Sequence, residues 1–256
     1  MLLRYLLLIL LFCTSTLQAA ETDVIGVNYA YQGKHHHVFG RKIAGVYYFN
    51  ENATKTIKLA TSNWPPYIGE RLCDKGWVFQ LAVALFTSQG YQVQIEFLPW
   101  ARAVRTVESG EADLLFPEYF IEPTAPSDNF IGKYRHDLLA LSDSFPGGLV
   151  RFFKRRGSTD KFVGNLDNLA GESIGVVRGY QNTPEFDAMM DRGHFNILTV
   201  MNELQQIKVL AAGRVNLIIA DPIALEYAIK SSHLNAERQQ ALSNSIQAVM
   251  PALSYN

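Results

Sequence analysis

The sequence predicts an α/β fold built from two similar halves. Three observations carry that expectation. Strand, loop and helix patterns alternate from Ile57 onward, and the alternation restarts at Leu166. The stretch from Val107 to Phe116 then returns at Leu210 to Ile219. Each copy is a helix end, a glycine stop, a two-residue link, Asp or Asn, and an apolar strand. Two α/β halves joined by a short crossover imply a cleft between them, faced by loops at the strand ends.

The chain opens on an export signal. Arg4 supplies a positive charge, Tyr5 to Cys13 is apolar, and Thr14 to Ala20 is small and polar, so residues 1–20 read as a signal peptide cut after Ala19 or Ala20. The apolar run is too short to span a membrane. A lipid site at Cys13 ranks lower, because Phe12 stands where such a site wants a small residue. Cleavage leaves Cys73 as the one cysteine, so an exported chain would carry no internal disulfide. Cys73 reads as a buried or idle thiol.

Residues 21–56 read as an N-terminal extension, peripheral to the main fold. Val24 to Tyr31 and Ile43 to Phe49 are two short strand patterns, with a turn from Gly33 to Gly40 between them. His35, His36 and His37 fit an exposed loop. Consecutive histidines on a strand would face alternate sides, and no further ligand has the usual spacing, so no metal site is expected.

The main fold begins at Ile57. Ile57, Leu59 and Thr61 alternate as a strand, which Pro65 and Pro66 must end. Trp64 and Tyr67 are thereby held on a stiff loop past the strand's carboxyl end, where open α/β sheets bind ligands. Gly76 opens a helix with an apolar face over Trp77, Leu81 and Leu85 and over Val78, Ala82 and Phe86, and Gly90 closes it. Tyr91 to Leu98 is a strand, Ala101 to Glu108 a helix, and Ala112 to Phe116 a strand. Leu138 to Leu141 and Leu149 to Phe153 read as short extended runs around a crossover. In the second half, Asp167 to Gly171 is a helical turn and Ser173 to Val177 a strand. Thr183 caps a helix that starts at Pro184. Strand Phe195 to Val200, helix Glu203 to Ala212 and strand Asn216 to Ala220 follow, and Asp221-Pro222 opens a helix to Lys230. The halves span residues 57–146 and 147–256.

Composition narrows the function. Among 256 residues, 48% are hydrophobic and 18% charged, the balance of a folded soluble protein. A net charge of −1, with Lys154-Arg155-Arg156 too short to track phosphates, argues against nucleic acid as a partner. No nucleophile elbow, zinc-helix motif or phosphate loop is present, so catalytic residues and cofactors are not expected.

At this point the chain resembles a family. The residues that carry the resemblance are the strand and aromatic loop through Tyr67, Gly76-Trp77, Leu98 to Trp100, Ser109 to Asp113 and Leu141 to Phe145. In the second half they are Leu169 to Val177, Ala212 to Asn216 and Ala220-Asp221. Together they resemble the periplasmic solute-binding proteins of family 3, the amino-acid type. The resemblance implies a two-lobed Venus-flytrap fold, a periplasmic location, a small-molecule solute and an ABC transporter permease as partner. The protein would be a monomer, touching the membrane only through the permease. The family's closing strand and helix on the first lobe would follow Asn256, so the first lobe is expected to be incomplete.

The candidate ligand-binding residues are Trp64, Tyr67, Trp77, Trp100, Arg102, Glu118, Arg178, Tyr180 and Asp221. The aromatic rings offer stacking surfaces for planar or cationic groups. Glu118 can counter a cation, and Arg102 or Arg178 can fork onto a carboxylate. Asp221 matches the family's ammonium partner and also suits a helix cap. The chain departs from the family pattern in three places. No arginine lies in Glu122 to Pro126, Pro117-Glu118-Tyr119 replaces a serine-rich turn, and Val78 stands where an aspartate is usual. The alternatives are an enzyme of the same fold, a dehydratase-like lyase using Glu118, and a truncated, non-functional binding protein.

Overall fold

The computed structural model describes residues 24–118, 125–127, 129–143 and 148–253. The signal segment, Cys13, the turn after Glu118, the boundary near residue 146 and the last three residues lie outside them. Two sheets form the frame. The first has six strands in the order β1-β2-β3-β5-β4-β6: β1 (Val24–Tyr31), β2 (Lys34–Ile43), β3 (Val46–Phe49), β4 (Lys55–Thr61), β5 (Tyr91–Phe97) and β6 (Leu114–Leu115). The second has five in the order β11-β7-β10-β8-β9: β7 (Arg151–Arg155), β8 (Ser173–Val177), β9 (Asn196–Val200), β10 (Leu217–Ala220) and β11 (Ile246–Ala248). Strands β8, β9 and β10 run parallel, as do β4, β5 and β6. Among the described residues six α-helices join the sheets: α1 (Trp77–Ser88), α2 (Trp100–Glu108), α3 (Pro184–Asp191), α4 (Glu203–Ala211), α5 (Pro222–Lys230) and α6 (Ala236–Asn244).

The internal echo is a shared joint. In the first lobe the Asp113 N–H donates to the Lys58 carbonyl at 2.8 Å, and in the second the Asn216 N–H donates to the Ser173 carbonyl at 2.9 Å. Each bond ties the Asp or Asn three residues past the glycine stop to the central strand of its parallel trio. Gly110 and Gly213 both take left-handed φ, of 75° and 72°, where a side chain would be strained.

The structure corrects the reading of residues 21–56. The described residues 24–56 are not peripheral: β3 pairs with β5 antiparallel, from Val46 opposite Glu96 to Phe49 opposite Val93. Tyr47 and Phe49 are fully buried in a core shared with Leu59, Phe79, Val93 and Ile95. Gly40 lies opposite Phe49, and a methyl group there would come within 2.4 Å of its ring. The ring thus packs on bare backbone, and only glycine leaves room for it. The histidines also differ from expectation. His35, His36 and His37 sit on β2 and pair with β1, with His36 stacked on Tyr29 at 5.0 Å. A turn at Gln32-Gly33 suffices to join the strands, because both residues adopt positive φ. Among the described residues, no cluster of ligand types suits a metal ion.

Helix α1 buries one half of its predicted broad face, with Val78 and Ala82 buried and Phe86 partly so, and exposes the other. Val78, Phe79, Ala82 and Val83 are buried, while Trp77, Leu81 and Leu85 are exposed. Apolar residues lie on both sides of this helix, so packing against β5 and β1 rather than pattern selects the buried side. The extended run at Leu138 to Leu141 forms no strand, and β6 is two residues long. Cys73 is exposed on a short 3-10 turn. No helix among the described residues is long and apolar enough to cross a membrane.

In the second lobe, neighbouring residues face opposite helical layers. Phe152 and Ile219 belong to one cluster with Leu169, Ile174 and Phe186, and Phe153 and Ile218 to another with Ile207, Leu210 and Leu225. That two-sided burial accounts for the unbroken apolar run Leu217–Ala220. The helix starts are fixed by side-chain caps. Thr183 Oγ1 accepts from the Phe186 N–H, Asn202 Oδ1 from the Gln205 N–H, and Asp221 Oδ1 from the N–H groups of Ile223 and Ala224. Helix α6, which buries no side chain, lacks the apolar period that would reveal it in the sequence.

Candidate functional site

The carboxyl ends of β4 and β8 and the starts of α2, α4 and α5 meet between the lobes. Trp64 sits just past β4 and turns back through backbone bonds with Ile68. Trp100 is the first residue of α2, Tyr180 follows β8, Glu203 opens α4 and Asp221 caps α5. Trp64, Trp100 and Tyr180 line a cavity of about 30 Å³ that opens to solvent. Its lining comes from both lobes: Ser62, Trp64, Trp100, Pro117 and Glu118 from the first, Tyr180 and Gln181 from the second.

Hydrogen bonds join the two sides. Tyr67 Oη donates to Asp221 Oδ2 at 2.9 Å. Trp100 Nε1 donates to the Gly179 carbonyl at 2.9 Å, and Arg135 Nη1 reaches the same oxygen at 3.4 Å. Gly179 has φ of 78°, and a methyl group there would lie 3.2 Å from the Trp100 ring. Trp64 leans on Tyr67 with ring centres 4.6 Å apart, and Trp100 meets Tyr180 edge-on at 6.2 Å.

The electrostatics are acidic. Tyr180 Oη donates to Glu203 Oε1 at 3.1 Å, and the Trp64 indole hydrogen-bonds the same carboxylate. Burial pushes the Glu203 carboxyl above its ordinary value, and the charge of Asp221 adds to that push. Burial likewise raises the Tyr67 hydroxyl, with Asp221 contributing. The Tyr180 hydroxyl is raised by burial first, then by Glu203 and Glu118.

The Glu203 shift has a sign that can be tested. Between the ordinary carboxyl value of 4.5 and the raised one, the folded protein keeps a proton that the unfolded chain has lost. Stability therefore falls as pH rises through that window, and the full cost is present above it. Glu203→Gln keeps an acceptor for Trp64 and Tyr180 without the charge. The variant is expected to have a higher urea midpoint than the parent near pH 7, with the gain vanishing near pH 4. An equal gain at both pH values would show that burial does not perturb this carboxyl.

Of the residues singled out in the sequence, the structure brings Trp64, Trp100, Glu118 and Tyr180 to one pocket wall. Tyr67 and Asp221 form the buried link behind it. Trp77 is 45% exposed and touches Tyr67 edge-on at 6.5 Å rather than lining the pocket. Arg102 and Arg178 are exposed and do not line it either. Glu203 and Arg135 escaped sequence reasoning. Arg135 is buried with Glu108, its Nε 4.0 Å from Glu108 Oε1, and nothing local in the sequence marks that pair. Glu203 did leave a signal: the repeat that aligns Gly110 with Gly213 also aligns it with Trp100, as first residues of matching helices.

No protein-family model matches the chain, and no curated protein matches it in sequence. Solved structures do. A histidine kinase sensor domain with similarity to periplasmic binding proteins is 19% identical with a TM-score of 0.56, covering 79% of this chain and 80% of that one. An ancestral arginine-binding protein bound to arginine is 17% identical with a TM-score of 0.55, covering 77% and 79%. An arginine transport periplasmic binding protein from Legionella pneumophila is 15% identical with a TM-score of 0.55, covering 78% and 82%. The fold is accordingly the two-lobed α/β fold of periplasmic binding proteins.

Proposed function

We propose that the chain is an exported solute-binding protein of the amino-acid type, family 3, which captures a small polar or aromatic solute between its lobes for an ABC-type permease. In this reading residues 1–20 are the export signal, the protein works in the periplasm as a monomer, and residues 57–146 and 147–256 lead the two lobes. The observation that carries it is the pocket walled from both lobes, whose sides are joined by Tyr67–Asp221 and Trp100–Gly179. A solute seated there touches both lobes at once, so it favours the closed arrangement over an open one. The solved structures of similar fold include arginine-binding proteins and a substrate-binding protein of an amino acid ABC transporter, which supports the class.

A thermal-shift screen of amino acids, polyamines and small carboxylates tests the reading. A solute at a hundredfold excess over its Kd stabilises the folded form by about 2.7 kcal/mol. That corresponds to a rise of roughly 5–10 °C in midpoint for a chain of this size. A folded protein whose midpoint no millimolar solute raises would not be a solute-binding protein.

A further inference from the structure

A second cavity lies within the second lobe, away from the cleft. It holds about 260 Å³, close to the lower end of ligand-pocket volumes at about 300 Å³. Glu172 and Asn216 line it just ahead of β8 and β10, so it opens at the amino ends of those strands. The cleft lies past the carboxyl end of β8, a strand of five residues and so about 16 Å further along.

The charges around this cavity leave one cation over. Asp160 is held by Lys154 Nζ at 2.7 Å, and Glu172 by Lys161 Nζ at 2.7 Å. Glu172 also accepts from Asn216 Nδ2 at 2.6 Å, and Lys161 first, then Asn216, keep its carboxyl below the ordinary value. Both lining carboxylates are thus paired with a lysine. Arg155, at the end of β7, is not paired with an acid among the described residues. Its Nη1 donates to the Val215 carbonyl at 2.7 Å and to the Leu210 carbonyl at 3.3 Å, which pins the guanidinium against the end of α4. Its Nε and Nη2 donate to no described residue, and neither is sealed from solvent.

That unspent edge is a fork. Elsewhere in the chain, Nε and Nη2 of Arg41 donate to the two oxygens of Glu51 at 2.7 Å each. The same edge of Arg155 matches a carboxylate in the same two-pronged way. Because Nη1 already fixes the side chain, little rotamer freedom is lost when a ligand docks. The remaining lining suits a polar body, since Ser158 and Thr159 offer hydroxyl groups and Lys161 carries a second positive charge at the surface.

We propose that this cavity is a second binding site, distinct from the cleft, which takes a small polar carboxylate on the Nε–Nη2 edge of Arg155.

Isothermal titration of the purified chain with glycerate, malate and glycerol tests the site. Glycerate or malate is expected to bind, and glycerol, which has the hydroxyls without the charge, not measurably. Arg155→Lys keeps a donor for the Val215 carbonyl but has no fork, and is expected to weaken the acid at least about tenfold, the scale of one charge-assisted hydrogen bond. Thr159→Glu places a carboxylate at an exposed lining position, leaves every contact of Arg155 in place, and should weaken the acid by a similar factor. The comparison of ligands on the parent protein needs no variant to fold. Glycerol binding as tightly as glycerate would overturn the part played by charge. An acid that binds Thr159→Glu as well as the parent sits elsewhere, which overturns the site. No heat from either acid at millimolar concentration overturns the proposal outright, and leaves the reading of the cleft untouched.

Discussion

Gly76→Ala is expected to destabilise the first lobe by on the order of 3 kcal/mol or more. Gly76 has φ of 89° and ψ of 160°, a region that essentially only glycine occupies. The space is closed as well: a methyl group there would lie 2.4 Å from the Tyr67 carbonyl oxygen and 2.9 Å from its carbon. Backbone cannot swing aside as a side-chain tip can. That oxygen also accepts the Val78 N–H at 3.1 Å, so it fastens the first turn of α1. Moving it would loosen the helix start at one end of Tyr67 and the Asp221 bond at the other. Urea denaturation checks the prediction. A variant that keeps the parent's midpoint would show that the Tyr67 carbonyl and Gly76 are not in close approach.

Phe49→Ala should cost about 3–5 kcal/mol, the range for emptying a buried phenylalanine site. That is a large part of the 5–15 kcal/mol that typically holds a domain together. The ring is fully buried, meets Phe79 edge-on at 5.8 Å and lies over Gly40. Neither neighbour can fill the void, since Gly40 has no side chain and Phe79 is held by Tyr47 and Phe97. Phe39→Ala is the matched control on β2. Phe39 is 64% exposed, so its loss should change stability by no more than about 0.5 kcal/mol. Equal losses at the two positions would mean that the strands before Ile57 do not share the core of the lobe.

These predictions also mark where the sequence was readable. The second lobe was legible because its punctuation is local. Thr183-Pro184 and Asp221-Pro222 each carry a capping side chain beside a residue that cannot extend a strand, and both open helices as read. Strand β8 matches its expected span, because a run buried on both faces needs no partner to declare itself. The N-terminal strands show the limit. The pattern located β1 over Val24–Tyr31, yet nothing within Val46–Phe49 says that its partner is β5. Pairing across that distance is decided by packing, here by Tyr47 and Phe49 entering one core with Ile95 and Val93 of β5. The site divides the same way. Trp64, Tyr67, Trp100 and Tyr180 follow from aromatic residues at strand ends, while the exposure of Arg102 and Arg178 depends on side-chain direction, which spacing does not encode.

The tryptophans have a practical consequence. The chain has three, and two of them, Trp64 and Trp100, send their indole N–H groups across to the opposite lobe, to Glu203 and to the Gly179 carbonyl. Parting the lobes hands both N–H groups to water and wets both rings. Trp77, already 45% exposed, changes least. The chain's own ultraviolet emission thus follows the distance between its halves, so a fluorimeter can watch the cleft open and shut with no added dye and no heating.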